Sequence, residues 1–311
     1  MCGIAGLIHR GKVSGVGAEM TAMLQALKHR GPDSTGYAVY GEGNPGSNVM
    51  RLKVAEQEDM GKGRGIHAVI RNRIDAVEAI LGEHGVEVLS REDVTEYALR
   101  YVLAHEGDTE ELARHIEEVD GVEILSLGFG LEMVKDLGDA ATVCGAYGLG
   151  DFSGTHAIGH TRMATESDVD IRSAHPYWAF PYNDVSVVHN GQITNYWIMR
   201  REMERKGHRF MSDCDSELLA VYTAHNLANG VALEESLRRS VDEIDGVFTY
   251  LVATKDELGM AKDTMAAKPL VLYESDELIA LASEEVAIRS IIPQEIETHD
   301  PYDEEVRVWT A

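Results

Sequence analysis

Met1-Cys2-Gly3-Ile4-Ala5-Gly6-Leu7-Ile8-His9-Arg10 opens a chain of 311 residues. Between positions 2 and 9 small and apolar residues alternate, which is how a buried strand reads. The stretch has neither a basic leader nor a small-residue cleavage site, so it reads as a mature, cytoplasmic N-terminus. A cysteine at position 2 is the unusual feature. Once Met1 is removed, which a small second residue favours, Cys2 carries both a thiol and a free α-amine. Their reference pKa values of about 8.5 and about 7.7 to 8.0 put a nucleophile beside a nearly matched base. The amine can accept the thiol proton and later protonate a leaving nitrogen. Any small residue can follow an initiator methionine, so the rest of the chain has to decide between these readings.

Moving outward, Met20, Met23, Leu24 and Leu27 recur at i, i+3, i+4, i+7 and predict a helix over 18–29. His29-Arg30-Gly31-Pro32-Asp33-Ser34 is turn chemistry, and 37–40 reads as the next strand. From 51 to 152 the charge density rises. Segments 68–81 and 92–104 have helical apolar spacing, while Val86-Glu87-Val88-Leu89 and Val122-Glu123-Ile124-Leu125 read as strands. This predicts an inserted α+β subdomain without internal repeat. Strands resume at 155–160 and 185–189, the latter ending on Asn190-Gly191, a dipeptide suited to a tight turn. Helices follow over 196–206 and 214–229, with Ser212 and Asp213 as capping candidates. Strands at 248–254, 260–262, 270–273 and 278–282 precede a helix at 283–290, and 301–311 reads as a tail. Strands and helices in this order predict sheets enclosed by helices.

Composition narrows the function. Lys plus Arg is 28 against 53 Asp plus Glu, a formal charge of −25, which argues against nucleic acid and anionic membrane as partners. No apolar run approaches the roughly 18 residues of a membrane span. The three cysteines, Cys2, Cys144 and Cys214, form no C-x-x-C pair, so neither a disulfide framework nor a thiolate metal site is expected.

Four further stretches can carry chemistry, and each also has an ordinary reading. In Gly159-His160-Thr161-Arg162-Met163-Ala164-Thr165, a guanidinium at a strand end can hold a carboxylate bidentately or simply make an ion pair. His189-Asn190-Gly191-Gln192-Ile193 sets a side-chain amide beside a glycine N–H, the two donor types of an oxyanion hole, or is a turn. Ser212-Asp213-Cys214-Asp215-Ser216-Glu217 is either acidic helix capping or, through Asp215, a seat for a substrate ammonium. The glycines of the Arg30 turn allow backbone to approach a reacting centre, or only a turn.

Together and in this order, M-C-G-I-A-G, H-R-G-P-D-S-T-G, G-H-T-R-M-A-T, S-A-H-P-Y, H-N-G-Q-I and S-D-C-D-S-E resemble the class II glutamine amidotransferases of the N-terminal-nucleophile hydrolase superfamily. The resemblance covers residues 1–48 and 154–290. It implies a four-layer αββα sandwich, with an amidotransferase domain over 1–300 interrupted at 51–152. It implies Cys2 as nucleophile toward the side-chain amide of L-glutamine, Asn190 and Gly191 as oxyanion donors, Arg162 on the α-carboxylate and Asp215 on the α-ammonium. Arg30, His175 and Thr165 are implied as supports of the substrate pocket. Position 163 is Met where many members have Trp, a substitution found in the glutamate-synthase-like branch.

That branch implies a glutaminase subunit without metal or cofactor of its own. Ammonia would pass to a separate FMN-binding, glutamate-synthase-like synthase subunit, with a further glutamate-synthase C-terminal-domain-like subunit and iron–sulfur chemistry in the partners. The related N-methylglutamate synthase has the same arrangement. A non-catalytic glutamine-binding scaffold and a free-standing γ-glutamyl amide hydrolase are the alternative readings. The inserted segment is either the partner contact or surface decoration.

Overall fold

The computed structural model describes residues 2–63, 65–163, 174–180 and 184–311. The chain opens with β1 (Gly3–His9), α1 (Val16–Ala26) and β2 (Ser34–Tyr40). Next come β3 (Asn48–Lys53), α2 (Gly65–Glu83), β4 (Glu87–Asp93), β5 (Ala98–Ala104), α3 (Thr109–Glu117) and β6 (Glu123–Gly128). β7 (Leu131–Leu137), α4 (Ala140–Tyr147), β8 (His156–Arg162), β9 (Tyr177–Trp178) and β10 (Ser186–Ile193) follow. Then come α5 (Tyr196–Arg205), α6 (Asp215–Ala228), α7 (Leu233–Glu243), β11 (Gly246–Ala253) and β12 (Glu257–Lys262). The chain closes with β13 (Val271–Glu274), β14 (Leu278–Ala282), α8 (Glu285–Arg289) and β15 (Val306–Thr310).

The alternation in β1 divides its side chains between two layers. Ile4 and Ile8 join Ala38 and Ile158 against Val188, Leu251, Leu258 and Met260 of a second sheet, whereas Ala5 and Leu7 face Met20, Met23 and Leu24 of α1. Gly6 lies between the sheets, where an added Cβ would stand 2.8 Å from Leu251 Cδ1, so its lack of a side chain lets the sheets approach. The six-stranded sheet has the order β13-β14-β1-β8-β2-β7 and the five-stranded sheet β15-β12-β11-β10-β9. On the far side of the second sheet, Leu218, Val221 and Leu237 of α6 and α7 cover Val187, Phe248, Tyr250 and Val252. The layers therefore run helix, sheet, sheet, helix, the expected αββα sandwich.

A third, four-stranded antiparallel sheet, β4-β5-β3-β6, carries α2 and α3 and forms the inserted unit. Its extent differs from 51–152: it begins with β3, and by Leu131 the chain has returned to the sandwich, where β7 pairs with β2 along its whole length. Charged residues on β7 fasten the two parts together. Glu132 accepts from Arg51 of β3 and Arg100 of β5, Lys135 pairs with Glu123 of β6 at 3.0 Å, and Asp136 pairs with Lys53 of β3 at 3.3 Å. Arg51, Lys53, Glu132, Lys135 and Asp136 are all buried.

Three local expectations are corrected. Segment 92–104 is not helical: it holds the end of β4 and all of β5, whose Leu99, Tyr101 and Leu103 are buried on alternate positions. Residues 301–311 are not a tail, because β15 pairs with β12 and buries Val306 and Trp309. The N-cap of α6 is Cys214, without a side-chain capping bond, while Ser212 and the backbone around it donate to Glu217 instead.

Candidate active site

Cys2 lies immediately before β1 and is half-buried. Its neighbours are fixed from three sides. Gly3 stands opposite Thr161 on β8. Arg30 Nε donates to the Cys2 carbonyl at 3.0 Å, and its Nη1 donates to Glu284 Oε1 at 2.6 Å. Ser283 exchanges two bonds with Ile4, its N–H donating to the carbonyl at 2.9 Å and its Oγ accepting from the amide at 3.0 Å. Arg30 thus holds the backbone of Cys2, and Glu284 holds Arg30. Ser283 and Glu284 read in sequence only as a helix start; no local signal marks them as neighbours of position 2.

Asn190 and Gly191 do not form a turn. They continue β10, opposite Thr249 and Phe248 of β11. Asn190 Nδ2 donates to the Cys2 carbonyl at 3.3 Å, which sets the amide beside Cys2. At Gly191 a Cβ would lie 2.2 Å from the Val247 carbonyl oxygen and 2.6 Å from His189 Nε2. Glycine is therefore required by crowding.

Asp215 is the first residue of α6. Its Oδ2 accepts the Ile193 amide at 2.8 Å, and its Oδ1 accepts Ser216 Oγ at 3.3 Å. An open cleft of about 700 Å³ is lined by Gly191, Gln192, Ile193, Tyr196, Trp197 and Asp215, among others, so Gly191 and Asp215 share one opening. Cys2, Asn190 and Arg162 are not part of that lining; Cys2 bonds to Asn190, the residue before Gly191.

Arg162 ends β8 opposite Ser34. Its charge reaches His160 and His175, which stack with ring centroids 4.1 Å apart. Burial, followed by Arg162 and His189, pushes His160 down to about 3. Burial, followed by His160 and His189, holds His175 well below its ordinary value. His175 is thus a neutral, buried ring packed edge-on to Tyr177 and does not line the cleft. Thr165 lies outside the described residues. Among those described, no group of three or more His, Cys, Asp or Glu side chains is placed to hold a metal. No helix among them is long and apolar enough to cross a membrane.

The described residues thus link the half-buried Cys2 to the Asn190 amide, and Asn190 precedes Gly191, which lines one cleft with Asp215. Comparison with known proteins gives the family. The profile of the glutamine amidotransferase domain matches residues 160–290. A protein of Methanothermobacter thermautotrophicus named "Putative glutamine amidotransferase" is 40% identical over 311 residues, covering 99% of both chains. The glutamine amidotransferase-like protein GlxB of Rhizobium meliloti is 32% identical over 99% of this chain and 95% of its own. In fold, the chain is similar to a solved allosteric regulatory enzyme of purine biosynthesis, with a TM-score of 0.61 and 17% identity over 99% of this chain. It is also similar to the glutamine phosphoribosylpyrophosphate amidotransferase of B. subtilis, with a TM-score of 0.60 and 15% identity over 99% of this chain. The chain spans 46% and 47% of those two solved chains. This chain belongs to the class II glutamine amidotransferases, the family whose chemistry is hydrolysis of the glutamine side-chain amide.

Proposed function

We propose that Cys2 is the nucleophile of a glutaminase that takes L-glutamine to glutamate and ammonia. The thiol, its proton accepted by the α-amine freed by loss of Met1, attacks the side-chain carbonyl carbon. The tetrahedral oxyanion is met by the Asn190 amide and the Gly191 N–H. Collapse breaks the C–N bond, the amine returns the proton to the nitrogen, and ammonia leaves a γ-glutamyl thioester. Water then attacks the thioester, releasing glutamate and the thiol. Arg162 binds the α-carboxylate and Asp215 the α-ammonium, while Arg30 acts by holding the Cys2 backbone.

The observation that carries this reading is the Asn190 amide at 3.3 Å from the Cys2 carbonyl. To serve as an oxyanion donor the amide must exchange that carbonyl for the substrate oxygen. Each such donor is worth roughly 2.7 to 4 kcal/mol. The ammonia goes to a separate FMN-binding, glutamate-synthase-like synthase subunit, a reading supported by Met163 in place of the more common Trp. Any flavin or iron–sulfur chemistry resides in those partners.

The test is ammonia release from glutamine by the protein alone and with candidate synthase subunits added. Turnover that rises with the partner supports the whole reading, whereas constant turnover supports only the hydrolase. Silence in both, with glutamine bound, means a scaffold subunit. Cys2→Ala is expected to abolish release. N-terminal mass spectrometry checks the base: full activity with Met1 in place overturns the role of the amine.

A further inference from the structure

His189 lies immediately before the proposed oxyanion pair and is buried on β10. Its Nδ1 is 2.7 Å from Ser216 Oγ, and Ser216 Oγ donates to Asp215 Oδ1 at 3.3 Å. A hydroxyl has a single proton, so with Ser216 donating to the carboxylate its oxygen accepts from His189 Nδ1–H. Nε2 is then the bare nitrogen, and it is buried without a hydrogen-bond partner beside Gly191. The other carboxylate oxygen of Asp215 is held by the Ile193 amide at 2.8 Å. Both oxygens are therefore oriented from the same strand, one from position 189 and one from position 193, on either side of Asn190 and Gly191.

We infer that His189 is a positioning residue: through Ser216 it sets the carboxylate of Asp215, so that β10 registers the ammonium end of glutamine against the oxyanion donors. The inference rests on the proposed function. It assigns no contact between His189 and the reacting atoms. A neutral ring suits the role, and burial first, with Lys268 adding to it and Asp215 opposing, pushes His189 down to about 4.

The test compares L-glutamine with 4-carbamoylbutanoate, the same amide without the α-amino group, in wild type, His189→Leu, His189→Asn and Ser216→Ala. His189→Leu and Ser216→Ala are expected to lose tenfold or more in kcat/KM for glutamine, mainly through KM, with kcat/KM for 4-carbamoylbutanoate within about twofold of wild type. His189→Asn, whose amide nitrogen takes the place of Nδ1, is expected to recover most of the preference. Equal losses on both substrates, or an Asn variant as poor as Leu, would overturn the inference. Ser216→Ala breaks the link without emptying the core, so it decides the question if His189→Leu misfolds. If wild type releases no ammonia, the hydrolytic reading fails separately, and the same comparison is made on ligand binding by calorimetry. A preference for glutamine that is kept in Ser216→Ala, or no glutamine binding at all, then refutes the role of His189.

Discussion

Glu132 offers a direct test of how the small sheet is held on the catalytic sandwich. The carboxylate is 5% exposed and takes four short contacts: Arg51 Nε at 2.8 Å and Nη2 at 2.7 Å, Arg100 Nε at 2.8 Å and Nη2 at 2.7 Å. Burial raises its pKa, but the bonds from Arg100 and the charge of Arg51 outweigh this and leave it below the ordinary value. Glu132→Gln keeps the shape and removes the charge, so two guanidinium groups, that of Arg51 itself buried, face one neutral amide. Breaking a buried pair by removing one partner costs about 3 to 5 kcal/mol, since a charge remains in the interior uncompensated. With an unfolding entropy of about 2.1 cal/mol/K per residue, that corresponds to a fall of roughly 5 to 8 °C in melting temperature for a chain of this size.

The assay is a thermal melt of wild type and variant, with a second variant to separate charge from packing. Replacing Arg51, Arg100 and Glu132 together by Met, Met and Leu removes every charge at once, and such replacements are often neutral or stabilising. The triple variant is therefore expected to melt well above Glu132→Gln. A loss of under 2 °C in Glu132→Gln, or a triple variant that melts below it, would refute the view that buried pairing anchors the small sheet.

Gly191→Ala places a Cβ 2.2 Å from the Val247 oxygen, an atom of the paired strand that cannot swing away; a loss of about 10²- to 10³-fold in ammonia release is expected with about 1 to 3 kcal/mol of stability, and full turnover would contradict the site. His156 is fully buried and pushed by burial down to about 4, so the unfolded chain, with an ordinary value of about 6.5, takes up a proton that the folded one refuses. Its contribution to stability is present above pH 6.5 and falls as the pH drops toward 4, by about 2 kcal/mol at pH 5, with His160 acting in the same direction; a urea midpoint unchanged between pH 7 and pH 5 would count against neutral burial. Trp309→Ala is expected to cost about 3 to 5 kcal/mol, read as a lower melting temperature, because the indole is 6% exposed and closes the edge of the five-stranded sheet.

The parts legible in the sequence were those where chemistry or period leaves little choice. The alternation at 2–9 could only bury two faces, and Cys2 and Asp215 stand at the start of a strand and of a helix, whereas the Asn-Gly pair read as a turn and instead continues β10. Segment 92–104 misled because Val94, Ala98 and Tyr101 fit a helical spacing while Leu99, Tyr101 and Leu103 fit a strand, and pairing with β3 and β4 decided for the strand. The pairing of the charges in 51–152 was not legible, because sequence cannot show that Arg51 and Lys53 meet Glu132 and Asp136 across two sheets. Glu284 escaped for a similar reason, since its bond to Arg30 spans 254 positions.

The same topology limits what the small sheet can do for catalysis. It is anchored on β7, and the order β1-β8-β2-β7 puts two strands between that anchor and the strand of Cys2. Each step is a full antiparallel register, with Ser34 opposite Leu137 on one side and Arg162 on the other, and Gly3 opposite Thr161. Two strands separate the anchor from β1 and its ion pairs include none of that strand's residues, so loosening it is expected to leave the Cys2 end of β1 in place. A synthase subunit that touched the small sheet would accordingly act by lying close to the source of ammonia, not by retuning it. Glu132→Gln is then expected to release ammonia at the wild-type rate when alone and to lose stimulation by the partner. A variant slowed in isolation would show instead that the anchor and the proposed nucleophile, Cys2, are energetically coupled.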